Sequence, residues 1–251
     1  MLRAAHDRGF TGRIVLASSM VVYGEGAYRC DVHSSVRPGP RRVDYLDAGR
    51  YEPPCPHCDR PLEPGLVAET APTDPQNVYA ATKLHQEHLA NAFGREHDVP
   101  VTALRYHNVY GPRMPRDTPY AGVASRFRSA LAAGRAPEVL EDGHQRRDFV
   151  HVTDVARANV TALTVDPPYH GAVNVASGRP ITILEVANAL ATAAAHRLTP
   201  QVIGGYRRGD VRHVVASPRL ATEVLGFTAT IDPGSGLASF ANAPLRARIR
   251  S

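Results

Sequence analysis

Tyr79 and Lys83 stand four residues apart in the stretch PQNVYAATK. On a helix that spacing places both side chains on one face, about one turn apart. An ammonium beside a phenol favours the phenolate, which lets the tyrosine exchange a proton near neutral pH. Such pairs are also ordinary helix neighbours, so the chemistry needs a second feature. RIVLASSMVVYG supplies it, because there an aliphatic run ends in Ser18 and Ser19. A hydroxyl at the carboxyl edge of a parallel strand stands where open α/β sheets bind ligands, and Ser19 there can hold an oxygen that Tyr79 protonates or deprotonates. The bland alternative is that both hydroxyls satisfy backbone groups at the strand end.

A different chemistry is offered by Cys30 and His33, a C-x-x-H pair, and by Cys55 and Cys58, a C-x-x-C pair about twenty residues on. All three cysteines of the chain fall in this stretch. Two such pairs fit a tetrahedral Cys3His zinc site of structural type, since four protein ligands leave no open position. His57 is a rival fourth ligand. Unligated thiols and a disulfide are the alternatives, the disulfide being disfavoured in a reducing compartment.

These residues need elements to hold them. Residues 1–8 read as the end of a helix and RIVLASS as a buried strand. Residues 27–66, rich in Pro, Gly and Cys and without a period, read as an inserted loop. Thr73-Asp74 as a cap, Pro75 near the first turn, and Tyr79, Leu84, Leu89 and Phe93 at helical spacing predict a long helix to 97. VPVTALRYHNVYG predicts a second buried strand. Beyond it come a helix near 121–133, short strands near 138 and 148, a helix over 153–165 and a strand at GAVNVAS. A capping box of Thr182 and Glu185 opens a helix over 183–196, and Ser217, Pro218 and Gly226 bound another over 218–225. Strand and helix in alternation mean a mostly parallel α/β sheet.

The chain of 251 residues is 43% hydrophobic, enough for one large core or two modest ones. No apolar run approaches the roughly 20 residues that span a bilayer, and the N-terminus lacks a secretory signal, so the expectation is a cytoplasmic protein without a membrane partner. Net charge is +5, with the basic residues scattered rather than gathered into a stripe. That distribution suits phosphates on a small molecule and argues against nucleic acid. The basic run RARIR near the C-terminus reads as a solvated helix end.

Five motifs in order resemble the extended short-chain dehydrogenase/reductases, in particular the NAD-dependent nucleotide-sugar epimerases and dehydratases. They are SSMVVYG, PQNVYAATK, LRYHNVYGPR, RRDFVHVTDVA and GDVRHVVAS. The resemblance implies a C-terminal part of a Rossmann-type parallel sheet over residues 1–110, carrying the insert. Residues 111–251 would be mainly a smaller α/β substrate-binding domain, with segments returning to that sheet. It implies Ser19, Tyr79 and Lys83 as the catalytic set, and Ser18, Tyr79, Lys83 and Tyr106 on the side of NAD. Asn108, Arg147 and Arg212 would meet a nucleoside-diphosphate sugar, the arginines by bidentate contacts to the diphosphate. A homodimer packed through residues 77–97 is also implied.

Within the family, dehydratases carry an Asp-Glu pair directly after the catalytic hydroxyl, where this chain has Met20 and Val21. The expectation is therefore a 4-epimerase working through a 4-keto sugar, with a 4,6-dehydratase and a 4-keto reductase as alternatives. The family's Gly-rich phosphate turn has no counterpart in this sequence. Three readings compete for that: a piece of a longer enzyme, an inactive sugar-nucleotide-binding remnant, or a chain completed by a partner. As written, the chain is expected to expose a sheet edge. A zinc-containing nucleic-acid binder is a weaker rival, since aromatic stacking clusters near the basic residues are missing.

Overall fold

The computed structural model describes residues 1–116, 122–195 and 198–246. Helix α1 (Leu2–Asp7) leads into strand β1 (Ile14–Ser19), which passes directly into a 3-10 turn over Met20–Tyr23. Then follow β2 (Tyr28–Cys30), β3 (Ser34–Val36), helix α2 (Val43–Asp47), β4 (Glu63–Pro64) and β5 (Leu66–Val67). Next are α3 (Val78–His97), β6 (Val101–Tyr106), β7 (Asn108–Tyr110), α4 (Val123–Ala132), β8 (Glu138–Leu140), β9 (Arg146–His151) and α5 (Val152–Thr164). The remaining elements are β10 (Gly171–Val175), β11 (Pro180–Thr182), α6 (Ile183–Ala193), β12 (Gln201–Gly204), β13 (Val215–Ala216), α7 (Arg219–Leu225) and α8 (Pro233–Phe240).

The expected α/β architecture is observed. Strands β1, β6 and β10 form a parallel sheet in the order β1-β6-β10, with Ser19 and Val175 both level with Tyr106. The central strand β6 is buried at Val101, Ala103 and Leu104, as a strand covered on both faces should be. Strand β1 lies at the edge of its sheet. A second sheet has the order β11-β9-β7, and β8–β12 and β5–β13 are parallel pairs. One apolar cluster joins Leu104, Val173 and Val175 of the first sheet to Val155 and Ala158 of α5 and Leu225 of α7. Another packs Phe127 of α4, Leu190 of α6 and Phe240 of α8 around Phe149.

Several sequence expectations change. VPVTALRYHNVYG is two strands in different sheets, separated at His107, whose amide donates to the Val175 carbonyl at 3.1 Å. A continuous apolar run cannot show where a strand exchanges one partner for another. Helix α3 starts at Val78, because Asn77 caps it by accepting from the Ala80 amide at 2.9 Å. Asp74 and Pro75 lie in an extended strap before it, pinned by the Asp74 amide to the Val22 carbonyl at 2.9 Å. Gly24 permits that approach: its φ is +68°, and a Cβ there would collide with the Asp74 carbonyl.

The insert is not a structureless loop: β2 pairs antiparallel with β3 and β4. Strands of two or three residues are too short to show alternation. Pro218 rather than Ser217 occupies the cap position of α7, while Gly226 ends it in the left-handed region at φ +62° as expected. The capping box of α6 forms, with Thr182 Oγ1 accepting from the Glu185 amide at 3.1 Å and the Thr182 amide donating to Glu185 at 2.8 Å. The expected end of that helix at 196, the expected start of α4 at 121 and residues 247–250 of RARIR lie outside the described residues.

One buried polar network fixes these elements to one another. Arg105 on β6 makes a two-pronged ion pair with Glu87 on α3, Nε to Oε1 at 3.0 Å and Nη2 to Oε2 at 2.8 Å. Both are nearly buried, at 6% and 3% exposure. Ser18 at the end of β1 donates to the same carboxylate. Arg105 also donates to the Tyr23 hydroxyl at 3.0 Å and to the Glu69 carbonyl at 3.2 Å, and Tyr23 donates to Asn174 of β10 at 2.8 Å. Breaking a buried pair strands a charge and typically costs about 3–5 kcal/mol. Glu87→Ala is therefore expected to lower unfolding stability by about that amount in urea denaturation, with part recovered when Arg105→Met is added. A loss below about 1 kcal/mol, the range of surface pairs, would show that the network does not hold the fold.

Candidate active site

Successive residues of a strand point to opposite faces, and at the end of β1 this separates the two serines. Ser18 is 3% exposed with its hydroxyl on Glu87, so the role expected for it beside NAD is replaced by one inside the protein. Ser19 is part-buried and faces the other way, its oxygen accepting from the Val21 amide at 3.4 Å as the cap of the 3-10 turn.

Tyr79 is the second residue of α3 and 51% exposed. Lys83 donates to the Ala17 carbonyl at 3.0 Å, so strand end and helix start share one edge. Its Nζ lies over the Tyr79 ring, 5.9 Å from the centroid. The expected depression of the tyrosine is accordingly reversed: partial burial pushes Tyr79 up.

A cavity of about 230 Å3 opens next to this edge. Met20 and Val21, directly after Ser19, and Gln76 and Asn77, directly before α3, form one part of its wall. Asn108, Gln145 and the arginines Arg126, Arg147 and Arg207 form another, with Glu138 and Asp210 as the only carboxylates among the described residues of the lining. Three guanidinium groups against two carboxylates make the space suited to an anion. Asn108 Oδ1 and Gln145 Oε1 are buried with no hydrogen-bond partner among the described residues, which points to a ligand that supplies donors. Arg147 is oriented by the carbonyls of Arg212 at 2.7 Å and Val211 at 2.5 Å.

Arg212 does not line the cavity. Its guanidinium is fully buried and bound to Glu141 at 2.9 Å, to Asp142 at 2.8 Å and to Glu52 at 2.8 Å through Nε. Three carboxylates saturate its donors, so the phosphate-clamp role expected of Arg212 finds no free guanidinium; Arg207, five residues earlier, stands on the wall instead. Tyr106, expected on the cofactor side, donates its hydroxyl to Asn159 of α5 at 2.8 Å.

The acidic residues of RRDFVHVTDVA lock the backbone. Asp148 accepts from the amides of Ser177 at 2.6 Å and Gly178 at 2.8 Å. Asp154 accepts from the amides of Thr230 at 3.1 Å and Ile231 at 3.0 Å. Burial alone would raise Asp154, and these amides outweigh it and hold the carboxyl low.

In the insert, Cys30, His33, Cys55 and Cys58 converge, their ligand atoms all within 4.8 Å of one another. Residues the sequence reading passed over include Arg126, Gln145 and Arg207 on the wall, and Arg105 and Glu87 behind it. Glu87 had a signal: it continues the four-residue step from Tyr79 and Lys83 along one helix face. Arg126 and Gln145 had none, because only the folded chain brings them to the same space.

The model of the NAD dependent epimerase/dehydratase family matches residues 56–176. The chain is 36% identical over 216 residues to a dTDP-L-rhamnose 4-epimerase of Burkholderia thailandensis, covering 85% of this chain and 57% of that relative. It is similar, at 30% identity and TM-score 0.71, to the structure of MoeE5 in complex with UDP-glucuronic acid and NAD, over 96% of this chain and 67% of that one. The Thermus thermophilus UDP-glucose 4-epimerase in complex with NAD matches at 28% identity and TM-score 0.71, over 96% of this chain and 66% of that one. The chain spans little more than half the length of the curated relatives it matches.

Glu52 joins the insert to this region and carries a pH signature. Burial alone would push it up, but hydrogen bonds from His213 and Arg212 outweigh burial and hold the carboxyl at about 2, below its ordinary 4.5. His213 is itself pushed down by burial, and its Nδ1 accepts from the Arg146 amide at 3.0 Å, so Nε2 donates to Glu52 from a neutral ring. A carboxyl depressed on folding gives stability that is complete above its ordinary range and lost as pH falls toward the folded value. Glu52→Gln is expected to flatten the loss of stability between about pH 4.5 and about pH 2 in urea denaturation at stepped pH. An unchanged slope over that window would remove Glu52 from the acid response.

Proposed function

Because the chain belongs to the NAD dependent epimerase/dehydratase family, we propose that it serves the 4-epimerisation of a nucleoside-diphosphate sugar through hydride transfer to and from NAD. The observation that carries this reading is the composition of one cavity wall. The segments holding Ser19 and Tyr79 contribute Met20, Val21, Gln76 and Asn77 to the same space that Arg126, Arg147 and Arg207 face. The relatives named above as dTDP-L-rhamnose and UDP-glucose 4-epimerases support the substrate class.

Tyr79 and Lys83 fit the nicotinamide-ribose end of the cofactor, since both stand at the carboxyl edge of β1, with Tyr79 half exposed and Lys83 against Ala17. When bound, NAD supplies the acceptor and donor of the hydride. Tyr79 takes the proton of the sugar hydroxyl as the carbon bearing it is oxidised, and returns a proton once the keto sugar has turned its other face. Ser19 would hold the sugar oxygen, and Lys83, placed at the strand edge by the Ala17 carbonyl, would meet the nicotinamide ribose. Arg147 and Arg207 hold the diphosphate by charge-assisted hydrogen bonds, while Asn108 and Gln145 accept from the ligand. Met20 and Val21 transfer no protons, so the wall beside Ser19 lacks the separate acid and base that elimination of water requires.

None of this cycle runs through Cys30, His33, Cys55 or Cys58, none of which lines the cavity; zinc enters the reading as a structural ion of the insert. A second copy of the chain would pack on the outer face of α3, where Val78 and Leu89 are 82% and 50% exposed. Association that strengthens with concentration in sedimentation is expected, and a monomer at all concentrations would exclude it. No helix among the described residues is long and apolar enough to cross a membrane.

Incubation with NAD and UDP- or dTDP-hexoses, with the sugars resolved by chromatography, tests the activity. Tyr79→Phe is expected to lower kcat by about 10³-fold while nucleotide-sugar binding in calorimetry stays within about twofold. Arg207→Ala is expected to do the opposite, weakening binding by roughly tenfold. Full turnover by Tyr79→Phe would exclude the mechanism.

A further inference from the structure

We infer that Cys30, His33, Cys55 and Cys58 bind one zinc ion, and that this ion braces the insert against the segment 209–214 of the cavity wall. The first statement rests on four side chains alone; the second rests on contacts between the insert and that wall, whatever ligand the cavity takes.

Three of the distances among these ligand atoms match the edges of a tetrahedral site. Zinc–sulfur bonds of about 2.3 Å and zinc–nitrogen bonds of about 2.0–2.1 Å at tetrahedral angles place two sulfurs about 3.8 Å apart, and a sulfur and a nitrogen about 3.6 Å apart. Cys30 Sγ lies 3.7 Å from Cys58 Sγ and 3.7 Å from His33 Nδ1, and Cys55 Sγ lies 3.6 Å from the same nitrogen. A disulfide needs sulfurs about 2.05 Å apart, and would leave the third thiol and the imidazole without purpose. His57, the rival ligand, has its ring 5.1 Å from that of His33 and is not one of the converging four.

The backbone presents these ligands from two tight turns. Cys30 ends β2, His33 lies in the turn to β3, and the Val32 amide donates to Cys30 Sγ at 3.5 Å. The Cys55–Cys58 turn is closed by the Asp59 amide on the Cys55 carbonyl at 2.9 Å and by the Cys55 amide on the Arg60 carbonyl at 2.8 Å. Asp31 and Arg60 tie the turns together at 2.6 Å. The apolar cluster here consists of Tyr28, Cys30, Val36, Cys55 and Leu62, two of them the proposed ligands, which is far too small to hold some forty residues alone. A bound metal supplies the missing stability, releasing thiol protons to solvent as it binds.

The insert holds the wall at several points. Two residues before Cys30, the Tyr28 hydroxyl accepts from the His213 amide at 3.2 Å. Arg41 donates to the Asp210 carbonyl at 2.9 Å and pairs with Glu141 at 2.8 Å. Glu52 binds both Arg212 and His213. Gly209, Asp210, Val211 and Val214 belong to the cavity lining.

The full chain, purified under a thiol reductant without chelator, is analysed for metal by mass spectrometry; about one zinc per chain is expected, falling below about a fifth in Cys55→Ser. Because that variant can fail to fold, the wild-type protein is also stripped with a chelator and refilled with Co2+. The visible bands of tetrahedral cobalt and a thiolate-to-cobalt charge-transfer band are expected. Hydrogen exchange then compares stripped and zinc-loaded protein, with amides of 209–216 expected to exchange about tenfold faster or more without zinc. Less than about a fifth of a zinc in the wild-type chain together with no tetrahedral cobalt spectrum would overturn the site. Zinc present with exchange in 209–216 unchanged would overturn the brace. None of these readouts depends on epimerase activity, so failure here and failure of the enzymatic reading are separate results.

Discussion

The ion pair between Arg105 and Glu87 is the constraint on which the arrangement of the site depends. It crosses from the central strand β6 to α3, and both partners are almost wholly out of water. A carboxylate in that position cannot remain unpaired, so α3 has only one rotation about its axis in which Glu87 finds its guanidinium. That rotation also decides where Tyr79 and Lys83 point, because they lie two turns and one turn earlier on the same face. Ser18 adds β1 to the arrangement, and its neighbour Ser19 is turned to the opposite side as a result. The hydroxyl, the phenol and the ammonium are thus positioned by groups that do not themselves reach the cavity.

Arginine is used in two ways, and burial tells them apart. Arg105 and Arg212 are enclosed by protein carboxylates, where their planar donors hold elements together. Arg126, Arg147 and Arg207 remain on the cavity wall. Arg147 is held mainly by backbone carbonyls, with only a long contact of 3.5 Å to the Asp210 carboxylate, so its charge is left largely uncompensated. A guanidinium fixed by neutral groups and facing a cavity is preorganised for an anion, and one ringed by three carboxylates is not.

Alternation of strand and helix was legible in the sequence, and so was the Tyr79–Lys83 face, because helical period and caps are local properties. Thr182 and Glu185 announced α6 through their own chemistry. The roles of Arg207 and Arg212 were not legible. Both lie in one basic stretch, and what separates them is Glu141 and Glu52, about seventy and a hundred and sixty residues away in the chain. Asn77 and Asp74 posed a similar problem for α3: either residue type can cap, and the choice is made by the strap that Gly24 admits. The opening serines illustrate the same limit, since Ser18 serves Glu87 and Ser19 caps the 3-10 turn after β1, and nothing in the run of residues separates the two.

The insert is closed at its base, where the Gly65 amide donates to the Ala27 carbonyl at 2.7 Å and Tyr28 pairs with Pro64. Its two ends therefore enter and leave the host at one point, so the host does not have to stretch to accommodate it. Across that base it sends one cation, Arg41, and one anion, Glu52, into the buried charge cluster around Arg212. The segment is thus charge-neutral toward its host, giving a cation to the carboxylates around Arg212 and a carboxylate to Arg212 itself.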